Sequence, residues 1–345
     1  MNGAAQVDRR NDRLSTLDAL RGVASLGVCW FHFTHGNVLF LTDGWIKASG
    51  TYGWTGVECF FVISGFIIPY AMQRACYHLS DFGRFALKRI TRVDPPYLVN
   101  IVLVIVLGYI SAHVPGYRGS QSTFFSARQL LLHLGYLNSF TSEPWINPVY
   151  WTLGIEAQWY VLIGLIFPIT RKRVGWWVVA TAVLLSLTVS NGNLIFPHLP
   201  FFLSGFAVFR YKIGDLRDHT IVSILIILLL LALAVSGQIV MSAVGFVTAL
   251  AIAFLSVKSA SLNLLGTISY SLYLVHVPIG GRVINLGERL NLGIPEKVFF
   301  LCAAVGASIA AAYFFYALVE KPAQVWSTKV KYSRDREKSN YRVLA

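Results

Sequence analysis

Long apolar runs separated by short polar breaks repeat along this chain. Ten of them approach or reach the roughly 20 residues that cross a bilayer as a helix. They cover about 16–38, 52–71, 95–112, 149–169, 174–190, 194–210, 219–236, 238–257, 262–281 and 297–318. The pattern predicts an all-α fold, a polytopic integral membrane helix bundle of about ten transmembrane helices. Pro95, Pro96, Pro197 and Pro200 fall near the starts of the third and sixth runs, where proline is tolerated. The semi-apolar stretch 125–140 predicts an interfacial or re-entrant helix.

Composition agrees with a membrane solvent. Of 345 residues, 55% are hydrophobic and only 13% charged, against about 25% charged in soluble domains. Placing the N-terminus inside puts 22 Lys and Arg in inner segments and 6 in outer ones, with Arg21 inside the first run. That asymmetry predicts cytoplasmic termini and an even span count. It also accounts for the net charge of +13 without nucleic acid. The chain divides into an N-terminal segment 1–13, a membrane domain 14–322 and a basic tail 323–345. The polar stretch 327–345 is expected to be disordered and to lie against anionic lipid heads. A multi-pass protein of a bacterial cytoplasmic (inner) membrane is the expected setting. The first run is read as a retained helix, not a cleaved signal, because Asp18, Arg21 and His32 interrupt it. Cys29, Cys59, Cys76 and Cys302 form no CxxC or Cys/His ligand spacing, so neither a disulfide framework nor a metal site is expected.

Charges inside the runs carry the chemistry. Ionisable residues within a span are costly and mark functional candidates. Arg21 and His32 lie eleven positions apart, about 20° from three whole turns, and so share one helix face with a rise of about 16 Å. An interfacial arginine paired with Asp18, and a histidine bonded to a neighbouring helix, are the plainer alternatives. Glu58 and Glu156 each sit about two turns into spans that start outside, at a depth expected to match His32. A carboxylate beside an imidazole fixes its tautomer and raises its basicity, which suits a general base for a hydroxyl. A structural His–Glu pair between helices is the alternative. Arg89 and Arg92, with Arg84 and Lys88, precede the third span. Clustered arginines suit phosphates, although basic residues also collect on the cytoplasmic side for topology alone. Phosphate binders at one end and an acid–base centre about 16 Å deeper match a molecule with phosphates, a long arm and a thioester. Acyl-coenzyme A is such a molecule.

Six motifs in chain order resemble those of acyltransferase family 3, over about residues 14–322. They are LDALRGVASLGVCWFHF, with Arg21 and His32 in an Arg/Lys-x10-His pattern; GVECFFVISGFII, with Glu58 and Ser64-Gly65; and KRITRVDPPY, with Arg89 and Arg92. YWTLGIEAQWY follows, with Glu156 in the first acidic position and Ala157 in the second. ISYSLYLVHVP, with Tyr273 and His276, and VEKP, with Glu320, complete the set. The resemblance implies O-acylation of a sugar hydroxyl in a surface polysaccharide or glycolipid, or of a small metabolite. Acyl-coenzyme A, most often acetyl, is the implied donor.

It also implies His32 as the catalytic residue and Arg21 near the coenzyme phosphates. Direct transfer would use His32 oriented by Glu156 or Glu58; an acyl-His32 intermediate is the variant. Ser64, Trp151 and Tyr273 are candidate oxyanion donors, and Tyr273 and His276 candidates for the acceptor path. The expected partners are acyl-coenzyme A, a hydroxyl acceptor and membrane lipids, with no nucleic acid; a homodimer stays open. Acceptor choice is expected in the outer loops, mainly 113–148. A polyprenyl-sugar or lipid transporter is the competing reading, although no internal repeat of the kind many transporters carry is visible.

Overall fold

The computed structural model describes residues 2–114, 125–170, 175–290 and 292–332, with side chains from Ser15 onward, Trp176 excepted. Among the described residues the chain is all helical. In chain order the helices are α1 (Asn2–His35), α2 (Trp45–Gly50), α3 (Gly56–Arg74), α4 (Phe82–Ala112), α5 (Ala127–His133), α6 (Tyr150–Thr170) and α7 (Gly175–Thr188). They continue as α8 (Leu199–Lys212), α9 (Asp218–Ser236), α10 (Ile239–Phe254), α11 (Ala260–Thr267), α12 (Ser269–Glu288), α13 (Ile294–Phe315) and α14 (Lys321–Lys329). Five helical stretches are long and apolar enough to cross a membrane, and six if the bent pair α11–α12 forms one span. α7 and α10 are apolar but shorter.

The apolar runs form helices because a lipid solvent leaves backbone N–H and C=O groups no partner outside the chain. Their ends follow local chemistry. Ser126 caps α5, its hydroxyl accepting from Gln129 N at 3.0 Å, and Gly237 closes α9 at a φ of 65°. Where helices cross closely, side chains are removed. A Cβ on Gly65 would strike the carbonyl of Phe202, and one on Gly205 the carbonyl of Val62. This small-residue contact brings α3 and α8 almost backbone to backbone. Gly266 of α11 meets the Asp18 carbonyl of α1 in the same way.

Four expectations change. The third run starts earlier than position 95: α4 begins at Phe82 and carries Pro95 and Pro96 inside it. Its polar first turns hid this from a hydropathy reading. The ninth run is two helices, α11 and α12, bent by 68° at Ile268. The stretch 125–140 is not one helix. α5 ends at His133, Tyr136 adopts a left-handed φ of 57°, and a 3-10 turn covers Leu137–Phe140. The tail expected to be disordered from 327 is still helical to Lys329, with Ser327 buried; from 333 it lies outside the described residues, as do loop residues 115–124.

Candidate functional site

α1 is one unbroken helix through Arg21 and His32, so the two side chains keep their shared face and their rise of about 16 Å. Around it α3, α6 and α12 leave an open cleft lined by Arg21, Ser64, Thr152, Glu156, Tyr270 and Tyr273, among others. Residues i, i+4 along α6 place Thr152 and Glu156 on one face, toward the cleft.

The Arg21 end is built from charge. Arg92 of α4 interacts electrostatically with Arg89, Arg21, Tyr160 and Glu320, yet it is solvent exposed. Arg21 also feels Asp18, one turn earlier. Arg89 stacks over the rings of Phe85 and Tyr160, 5.5 Å and 5.7 Å from their centroids. Its Nε and that of Arg21 are buried with no hydrogen-bond partner among the described residues. Such orphaned donors are rare in folded chains. Three guanidiniums from two helices therefore converge with spare donors, the forked geometry that suits phosphate.

Glu320 balances this cluster. It closes a π-helical turn, Tyr316–Glu320, a local distortion frequent at functional sites. Its Oε2 accepts from Ser271 Oγ at 2.6 Å and from Ser271 N at 3.1 Å, and its Oε1 accepts from Gln324 Nε2 at 2.9 Å. Ser271 lies in the first turn of α12, so the carboxylate satisfies a helix-end donor where partial positive charge collects. The break between α11 and α12 thus opens beside the arginines, with Ser269 and Tyr270 on the cleft wall.

The cleft middle is hydroxyl-rich. Ser64 Oγ donates to Glu156 Oε1 at 2.5 Å. Thr152 Oγ1 and Tyr273 Oη lie 2.7 Å apart, and Tyr273 Oη donates to Val149 O at 3.1 Å. Glu58 and Glu156 both act electrostatically on Tyr273. Beyond Tyr273 the surroundings turn aromatic. The Tyr273 and His276 rings are 6.0 Å apart, and those of His276 and His32 are 5.2 Å apart.

Comparison with known proteins decides the family. An acyltransferase domain model matches residues 14–316. The chain belongs to acyltransferase family 3. Relatives include ORF330 of Acidianus two-tailed virus, provisionally named an acetyltransferase, at 29% identity over 54% of this chain and 53% of its own length. The O-acetyltransferase OatA of Staphylococcus aureus is 27% identical over 46% of this chain and 26% of its own length. BcsY of Komagataeibacter xylinus, provisionally named a membrane-bound transacylase, is 30% identical over 48% of this chain and 40% of its own length. The chain thus spans about half or less of the length of these curated relatives. No solved structure matches it.

Within this acyltransferase fold the candidate residues sort into three groups. Arg21, Arg89 and Arg92 come together. Ser64, Glu156 and Tyr273 share the cleft with Arg21. His32 and His276 pair beyond it. Two expectations about neighbours change. Neither Glu58 nor Glu156 hydrogen-bonds to His32 among the described residues. The reason is register: residues 36–55 fold into α2 and turns, so α3 starts deeper than position 52 implies. Gly53 packs at Gly27 and Phe31, Gly56 at Ala24 and Val28, and Cys59 Sγ reaches Leu20 O at 3.8 Å. Glu58 therefore lies toward the Arg21 end, 1% exposed, with Oε2 unpartnered. Trp151 points away from the cleft and packs on His198, ring centroids 5.7 Å apart.

Sequence reasoning passed over Thr152, Tyr160, Tyr270 and Ser271. All lie within the six motif segments, but only tertiary contacts give them tasks. The loop aromatic Trp145 covers the outside of α6, meeting Gly154, beside His133, whose Nε2 accepts from Ile146 N at 3.1 Å.

Proposed function

We propose that this protein is a membrane O-acyltransferase that moves an acyl group, acetyl in the first instance, from acyl-coenzyme A to a hydroxyl. The acceptor is a sugar of a surface polysaccharide or glycolipid, or a small metabolite. The family and the O-acetyltransferase name of one relative support the reaction class. The observation that carries the donor assignment is the meeting of Arg21 with Arg89 and Arg92 beside a cleft whose lining reaches from Arg21 to Tyr273, the ring neighbour of His276. The transporter reading has no such support. We place the chain in a bacterial inner membrane with ten spans and cytoplasmic termini, so that the arginine end meets the cytoplasmic coenzyme.

In this reading the phosphates dock on the three guanidiniums through charged hydrogen bonds worth about 1.5–3 kcal/mol each. The pantetheine arm carries the thioester past Ser64 and Glu156 to Tyr273. His32 takes the acceptor's hydroxyl proton as the oxygen bonds to the thioester carbonyl carbon. Tyr273 turns its hydroxyl to the developing oxyanion. Collapse breaks the carbon–sulfur bond, and the proton on His32 passes to the departing thiolate. Ester and free coenzyme A are the products.

The test uses purified full-length protein with radiolabelled acetyl-coenzyme A and an extract of hydroxyl acceptors. His32→Ala should lose turnover by about 10³-fold or more while still binding donor. Arg21→Ala should weaken donor binding about 10- to 100-fold. Unchanged rates and affinities in both variants would end the proposal.

A further inference from the structure

His276 is placed to do for His32 what the two carboxylates do not. Its ring is 0% exposed. Its Nδ1 lies 3.0 Å from Leu272 O, and a carbonyl can only accept, so the proton of that bond sits on Nδ1. The lone pair then belongs to Nε2, which is buried with no hydrogen-bond partner among the described residues. A buried acceptor left empty costs about 1–3 kcal/mol and calls for an explanation.

Three rings surround it. Phe33, at 6.2 Å, has no polar hydrogen to offer. Tyr273, at 6.0 Å, has its hydroxyl engaged by Thr152 and Val149. His32, at 5.2 Å, carries a ring N–H. An N–H···N bond of about 2.9 Å between two imidazoles separates their centroids by about 5 Å, since each nitrogen lies about 1.1 Å from its centroid. The observed centroid spacing of 5.2 Å matches such a bond for rings turned nitrogen to nitrogen.

We propose that His276 is the positioning residue of the transfer site: its Nε2 accepts one N–H of His32 and so leaves the other His32 nitrogen bare for the acceptor hydroxyl. This rests on the reading of His32 as the base. When His32 takes the acceptor's proton it becomes an imidazolium, and the N–H facing His276 gains a charge-assisted bond. When it hands that proton to the thiolate, the original tautomer returns. His276 never changes its own proton. Its Leu272 bond, within the first turns of α12, fixes its tautomer and so keeps the lone pair at Nε2.

The experiment compares His276→Leu with His276→Gln, which keeps an acceptor near the Nε2 position. His276→Leu should lower kcat about 100-fold, with KM for acetyl-coenzyme A and the melting temperature unchanged. His276→Gln should recover at least part of that loss. Nitrogen-15 NMR of histidine-labelled protein should find His32 as one tautomer in the wild type and as an exchanging mixture in His276→Leu. In a His32→Ala background, His276→Leu should cause no further loss, because it acts through the missing ring.

Wild-type kcat in His276→Leu would overturn the assignment. So would equal losses in the two variants, or a loss that persists without His32. Should His276→Leu fail to fold, the His276→Gln rate and its effect in the His32→Ala background decide alone. Full activity of His32→Ala would instead remove the underlying reading of the base.

Discussion

The two ends of the α1 face solve opposite problems with opposite materials. Around Arg21, five formal charges from three parts of the chain (Asp18, Arg21, Arg89, Arg92 and Glu320) sense one another, and solvent reaches Arg92. Around His32, some 16 Å along the same helix, the ring neighbours are His276 and Phe31, and among the described residues no carboxylate is bonded to it. A charge needs water or partners. The first end has both, so it can hold an anion and release it. The second is only partly exposed and has no bonded carboxylate among the described residues, which favours neutral imidazoles whose protons are placed by lone pairs. In the proposed reaction, recognition by charge and proton transfer by tautomer are thereby kept apart along one helix.

The sharpest way to break this contrast is to put a charge into the aromatic end. Leu274 is fully buried beside Tyr273, and Leu274→Asp should cost about 3 kcal/mol or more. Thermal melting in detergent should find little folded protein. The same measurement on Arg92→Gln, at the accessible end, should stay within about 0.5 kcal/mol of wild type. A tolerated aspartate at 274 would mean that water reaches the buried face of α12.

Next in size is Arg92→Gln itself as a binding variant. Losing one charged contact of about 1.5–3 kcal/mol should raise KM for the donor about 10- to 100-fold with little change in kcat. The salt dependence of binding should flatten, which titration at two ionic strengths can check. A fall in kcat alone would move Arg92 out of the donor site.

Ser64→Ala sharpens the boundary between the ends. It removes the hydroxyl that donates to Glu156 at 2.5 Å, and the expected loss is about 10-fold in kcat/KM. A loss as large as that of His32→Ala would mean that the chemistry centres on Glu156.

The smallest effect lies in the segment 127–146. His133 is buried, its Nδ1 donating to Gln129 O at 2.7 Å and its Nε2 accepting from Ile146 N at 3.1 Å. Burial holds its imidazole below the usual range, so the folded state favours the neutral ring. That contribution is complete above the ordinary pKa of about 6.5. It is lost progressively as pH falls below that value toward the lowered folded one. Amide exchange across 127–146, corrected for intrinsic rates, should be less protected at pH 5.5 than at pH 7.5, and His133→Gln should remove the difference. Equal protection at both pH values would show that this loop is held by other contacts.

The sequence by itself determined the class of solvent, the helical content and the facing of Arg21 and His32. Those properties depend on hydropathy and on the helical repeat, which are local. It also carried the family pattern, including Glu320 and the Ser64-Gly65 pair. It could not supply register between helices, because residues 36–55 read as loop and gave no measure of how deep α3 would start. So Glu58 was expected beside His32 and lies toward Arg21 instead. Nor could it foresee that α4 would continue through Pro95 and Pro96, that Trp151 would turn to His198, or that the ring beside His32 would be that of His276, 244 positions away. These were decided by tertiary packing, where glycine contacts such as Gly65 with Phe202 and Gly205 with Val62 set the distance and sliding of whole helices. Which side chains meet across an interface depends on that sliding to within a turn, and nothing within one helix encodes it.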